Sequence, residues 1–345
     1  MAPPPVGIHN SFLRGHRGFC SNEFSMRVCL RQFFALTGLA VTELFRQPAF
    51  FLVILSSTAC TILVPLAISH QLGQQGHLAL DSSLAFEFMF GIILAGYAAC
   101  ATLHNECRSG TILIVFSKPV SRLMFFLAKY LAVSILLVFF VFCSGVASLL
   151  AERLTPRNFE FDALGLRLLL AVPLVAFIPA ALLNYFTRRS FVFYSLLGLV
   201  LSLIGMVTIL GMVDGEGTRV AFGSLIDWRI LPACALEGIA LLILSAIALS
   251  LASRLPTPTT IAVLAVVLFA GLISDHLITL LPQSETLRFG LRMMLPDIQA
   301  FWPADRLAGG GMLPLPILAH AAAYAVAYTS GVLCIGYAAF RNRQF

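Results

Sequence analysis

Residues 123–150 read LMFFLAKYLAVSILLVFFVFCSGVASLL, with Lys129 as the single charge. The run neither alternates polar with apolar positions nor breaks for a turn. At a rise of about 1.5 Å per residue, roughly 20 residues cross the ~30 Å hydrocarbon layer of a bilayer, and this run is longer. A barrel strand needs only about 10 residues and alternates. In lipid every backbone donor and acceptor has to be paired within the segment, so such a run is a helix.

Seven further stretches repeat the pattern: Phe50–Ser69, Leu84–Leu103, Leu166–Phe186, Phe191–Met212, Pro232–Ser253, Thr257–Leu280 and Leu315–Phe340. Composition agrees. Hydrophobic residues make up 59% of the 345 and charged residues 11%, where a soluble domain carries about 25% charged. A soluble fold has no place to hide that apolar surface. The sequence therefore predicts an all-α, polytopic integral membrane protein with about eight transmembrane helices, six to eight being the range. Pro65, Pro173 and Pro179 fall inside spans and predict kinks rather than breaks.

Ahead of the first span, Arg31–Gln47 is amphipathic. Stepped at 100° per residue, Arg31, Gln32, Thr42, Glu43, Arg46 and Gln47 share one arc. Leu30, Phe33, Phe34, Val41, Leu44 and Phe45 share the opposite one, and Pro48 ends the helix. This predicts an interfacial helix at the cytoplasmic face. Residues 1–29 read as a disordered cytoplasmic tail, since Met1–Met26 has no apolar core of signal-peptide kind. Translation from Met1 and from Met26 both fit. The permease domain is then 30–345.

Orientation follows from the basic residues. With the N-terminus in the cytoplasm, inside segments hold 14 of the 22 lysines and arginines, the Arg188-Arg189 turn among them, against Glu23, Glu43 and Glu106 as acids. That asymmetry places both termini inside. The net charge of +6 reflects topology, and no basic patch interleaved with aromatics points to nucleic acid. Between Pro282 and Pro314, Leu287, Leu291, Met294 and Leu295 recur at helical spacing. They predict a short helix on the outer interface, followed by Trp302 as an anchor.

Several chemistries find no support. No GxxxxGK[ST] loop is present to cradle ATP phosphates. No cofactor motif and no catalytic triad spacing occur, and His104 with Cys107 makes only two ligands of a metal site. The eight cysteines include no CxxC pair and read as small hydrophobes. Glu87, Glu237 and Asp275 lie three to five residues from the outer ends of their expected spans. They read as carboxylates reaching the headgroups.

The informative stretch is residues 105–122, NECRSGTILIVFSKPVSR. Ser109 can N-cap a short helix, Gly110 relieves crowding and Pro119 stops it. Ile112, Leu113, Val115 and Phe116 form an apolar surface that wants the bilayer or a protein groove. Glu106, Arg108, Lys118 and Arg122 frame it with charge. Ser117 or Ser121 caps the next span, and Lys129 marks its inner turn.

The pattern E-x-x-S-G-T, followed by K-P-V-S-R and a lysine two helical turns on, resembles ABC-2 type permease subunits, closest to the branch linked with multicopper-enzyme maturation. The resemblance runs from Arg31 to Lys129. It resumes at Leu295-Pro296-Asp297-Ile298-Gln299, at Tyr324 and Tyr328, and over the terminal residues 340–345, FRNRQF. The family has six spans in its usual form, and the surplus here lies between Leu166 and Leu280. The resemblance implies that residues 104–122 form the segment coupling to a separate ATP-binding cassette ATPase. Glu106, Arg108, Ser109, Gly110, Thr111, Leu113, Phe116, Lys118, Pro119, Ser121 and Arg122 would make it up. It further implies a transport component rather than an enzyme, in a bacterial inner membrane, paired with a second permease as a homodimer or heterodimer. It implies export or membrane extraction of a substrate that the sequence does not name. A polytopic enzyme acting on lipids, and a membrane anchor or sensor partnered with an ATPase, are the alternatives.

Overall fold

The computed structural model of the chain describes residues 17–68, 75–104, 106, 121–155, 163–214, 217–274, 276, 295–302, 311 and 314–341. Among them the chain forms nine α-helices and no strand. These are α1 (Arg17–Arg46), α2 (Pro48–Ala67), α3 (Gln75–Ala99, prolonged by a π-helical turn over Cys100–His104), α4 (Arg122–Leu154), α5 (Ala163–Thr187), α6 (Phe191–Leu210), α7 (Ile230–Ala252), α8 (Thr257–Leu272) and α9 (Leu315–Arg341).

Seven of these helices are long and apolar enough to cross a membrane, with mean hydropathies from 1.5 to 2.6. The protein is an all-α polytopic integral membrane protein. The eighth expected span differs. Among its described residues the uninterrupted helix is Thr257–Leu272, 16 residues long, about 24 Å at 1.5 Å per residue. Ile273 ends it with a non-helical backbone. α2 and α5 run on through Pro65, Pro173 and Pro179.

α7 is the central helix. Its composition is apolar on every side, the mark of a fully surrounded helix, and it touches α3, α4, α8 and α9. The main core fills the space between these helices and α2, with Phe50, Phe125, Phe126, Phe140 and Phe340 all shut off from solvent. α5 and α6 form a hairpin at the side of the bundle. At their contact a Cβ on Gly198 would stand 2.6 Å from the Ala176 carbonyl oxygen, so only glycine permits this approach. The far faces of these two helices expose Leu170, Tyr185, Phe186 and Leu201, as lipid-facing surfaces do.

α1 begins at Arg17, earlier than the Arg31 start that amphipathicity predicts. Its apolar arc is covered by protein only in part, since Leu30 and Phe34 stay exposed. Thr37, Ala40 and Leu44 are buried, Cys29 Sγ lies 3.5 Å from Met124 Sδ, and the Phe45 ring meets Phe139 edge-on at 5.1 Å. α1 therefore lies along α4, with its polar arc turned outward. The short helix expected from Leu287 to Met294 lies outside the described residues. Trp302 is half-buried against the Phe88 ring at 6.0 Å, so it packs on α3.

The two ends of the bundle differ in charge. Arg46, Arg122, Lys129, Arg188, Arg189, Arg254 and Arg341 gather at the end that carries Glu106. There Arg254 reaches the Ala339 carbonyl and Arg122 the Arg341 carbonyl. The other end mixes signs, with Arg229 paired to Asp227 at 2.6 Å and Arg153 near Asp214 at 3.7 Å.

Candidate functional site

Of the residues assigned to the coupling segment, Glu106, Ser121 and Arg122 are described; Arg108, Ser109, Gly110, Thr111, Leu113, Phe116, Lys118 and Pro119 lie outside the described residues. The described ones hold the two ends of the segment. At its start α3 finishes in the π turn Cys100–His104, whose extra residue rotates the next positions of the chain out of the α-helical register. Glu106 then meets Lys129 of α4, with Nζ 2.5 Å from Oε1. The Lys129 ammonium also lies 5.3 Å from the centre of the Phe125 ring, within cation–π range. Burial pushes the Glu106 carboxyl up from its ordinary value, Lys129 pulls it back in part, and nearby Glu43 of α1 pushes it up again.

The far end of the segment is fixed by a helix cap. Ser121 takes extended backbone angles, and its hydroxyl accepts from the Met124 amide at 3.2 Å, satisfying one of the free donors of α4. Of Ser117 and Ser121, it is Ser121 that fills this role. Arg122 Nη1 donates to the Arg341 carbonyl at 2.9 Å, close to the end of α9. Behind it Phe340 stacks on Phe125 and Phe126 at 6.3 and 5.8 Å. Phe340 and Arg341 thus meet the first turn of α4.

The other C-terminal residues of the resemblance also come together. The Asp297 amide donates to Tyr324 Oη at 3.2 Å, and Tyr324 stacks on Tyr328 at 5.9 Å. A Cβ at Gly271 would stand 2.7 Å from the Pro296 carbonyl oxygen, so α8 needs glycine to let this strand of chain past.

Glu87 and Glu237 do not reach toward headgroups as their sequence positions predict. Both are completely buried. They lie beside one another in the seam between α3 and α7, with Ser144 of α4 and Cys234 next to Glu87. The Cys234 thiol and the Ser144 hydroxyl are the polar groups nearest the Glu87 carboxyl, at no better than marginal hydrogen-bond geometry, and no described residue donates to Glu237. Among the described residues no basic side chain forms an ion pair with either carboxyl. The sequence misplaces them because α3 starts at Gln75, well ahead of the apolar run that opens at Leu84. Glu87 is therefore about 12 residues, or some 18 Å, along its helix. Asp275 lies outside the described residues.

Among the described residues no group of three or more His, Cys, Asp or Glu is arranged to hold a metal ion. No protein-family model matches the chain, and no curated protein is significantly similar to it.

Proposed function

We propose that this chain is the permease subunit of an ATP-binding cassette transporter of the ABC-2 type. One observation carries the proposal. The segment that resembles a coupling element is tied to α4 at both ends, by the Glu106–Lys129 ion pair and by the Ser121 cap beside Arg122. A segment held at both ends passes a push on its middle to the span as a rigid body, where a free loop would absorb it. ATP is then bound and hydrolysed on a separate subunit docked at the Glu106 end, which faces the cytoplasm of a bacterial inner membrane. Two permeases, alike or different, flank the path, and the substrate leaves the cell or the bilayer.

The test is to express the chain with candidate ATPase subunits and replace Leu113 or Phe116 with Asp. An unpaired charge in the docking contact costs far more than one in water. The variants should insert and stay monodisperse while coupled ATPase activity is lost. Full coupled activity in both variants, or no ATPase retained by the wild-type chain, overturns the proposal.

An ion-driven carrier is the second function that a specific observation favours, namely the adjacent carboxyls of Glu87 and Glu237 shut inside the bundle. Ionisable groups at such places mark ion pathways in transporters. Transport by the purified chain in liposomes without any ATPase would favour it.

A further inference from the structure

The end of the bundle that carries Glu106 also holds a cavity of about 910 Å³, between the end of α1 and the turn joining α5 to α6. Arg46 of α1 and Arg188 and Arg189 of the turn line it, and no acidic residue does. No side-chain ion pair occupies Arg46 or Arg188 among the described residues. Arg189 Nη1 donates to Tyr194 Oη at 2.7 Å, which holds its guanidinium against the wall of the cavity. Ser190 opens α6 without a side-chain cap, so the first-turn amides keep their donor capacity.

The backbone of the turn is unusual. Arg188 has φ +52°, in the left-handed region that favours glycine. Its amide donates to the Asn184 carbonyl at 3.0 Å, and Asn184 Nδ2 donates to the Arg189 carbonyl at 2.6 Å, which locks the turn. Setting membrane orientation needs only positive charge somewhere in a short turn. It does not call for a third arginine from α1 on the same cavity. Nor does it call for an arginine where glycine would sit without strain.

We propose that this cavity binds the phosphate group of an anionic phospholipid. Arginine forks match phosphate oxygens in pairs, and three arginines line this one cavity. What favours a lipid over free phosphate is the apolar surface beside the cavity. Phe193 lines the cavity and is exposed, and the last turns of α5 that lead to it carry the exposed Leu182 and Phe186 on their outer face. Acyl chains would cover them, whereas a free anion would leave them bare. Basic pockets between spans at the inner face are known to take such headgroups.

Thermal unfolding of the purified full chain in neutral detergent tests this, with added phosphatidylglycerol, phosphatidylcholine or inorganic phosphate. Phosphatidylglycerol should raise the unfolding temperature by several degrees over phosphatidylcholine. The shift should vanish in Arg188→Gln/Arg189→Gln and persist in Arg167→Gln/Arg219→Gln, a charge-matched pair outside the cavity. Arg46→Gln leaves the turn untouched and should reduce the shift. It decides the matter alone if the double variant does not purify. Equal shifts from both lipids, or a shift undiminished in Arg188→Gln/Arg189→Gln and Arg46→Gln, overturns the proposal. Protection by inorganic phosphate with none added by lipid overturns it in favour of a free anion.

Discussion

Glu106 and Lys129 form an ion pair whose side chains are only 18% and 6% exposed. Burial is the largest influence on the Glu106 carboxyl and raises its pKa above the ordinary 4.5, despite Lys129. The folded protein therefore binds this proton more tightly than the unfolded chain. Its contribution to stability is full below 4.5 and is lost as pH rises through the raised folded value. Melting temperatures in detergent should fall over that window in the wild type. They should fall less in Glu106→Gln, and an identical profile in both would refute the assignment.

Removing Lys129 strands the carboxyl. Lys129→Met should cost about 1–3 kcal/mol, less than the 3–5 of a fully buried pair because Glu106 keeps some water. Glu106→Gln/Lys129→Met should cost less than the sum of the singles, since the partners are coupled. Additive losses in chemical unfolding would show that the two side chains act independently.

Arg188 stores strain in its backbone. Arg188→Gly should stabilise the chain by roughly 1 kcal/mol in neutral detergent, because glycine takes a positive φ without a Cβ clash. The same variant should respond less to phosphatidylglycerol. A variant less stable than wild type would mean that the arginine side chain holds the turn even without lipid.

The charge difference between the ends predicts topology. Reporter fusions at Phe345 should read as cytoplasmic and fusions at Gly310 as external. α8 is the element under test. If its 16-residue helix fails to cross, both readings reverse, with Gly310 cytoplasmic and Phe345 external, because α9 still separates them.

Chain direction and helix content could be read from residues such as 123–150, because a long apolar run without alternation admits one backbone solution in lipid. The cap of α4 was readable to one of two serines, Ser117 or Ser121, because a serine ahead of an apolar run has few other uses; the structure selects Ser121. Partners were not readable. α3 and α7 gather their few polar residues on no single side, so the pattern does not tell which face meets which neighbour. That Glu87 would settle beside Glu237, 150 residues away, is written nowhere in local pattern. Nor is the meeting of Arg46 with Arg188, since each falls in a segment that orientation alone explains. Lys129 was intermediate. Its spacing from the motif marked the inner turn of α4, but its pairing with Glu106 depends on the π turn that ends α3.

Glu87 and Glu237 give the last prediction, in which stability and function move in opposite directions. Two carboxyls buried side by side without a counter-charge are a structural cost, and well-packed apolar replacements of buried charged groups stabilise by about 1–4 kcal/mol in other proteins. A chain that keeps them in its central seam gains something other than folding free energy from them. Glu87→Leu/Glu237→Leu should therefore insert normally and unfold at a higher temperature than wild type. The same variant should lose substrate movement, in the complete complex or in liposomes, because its seam no longer offers oxygens to a passing group. A large drop in melting temperature for the double leucine variant would mean that the two carboxyls hold the seam together, and the transport role would fall with it.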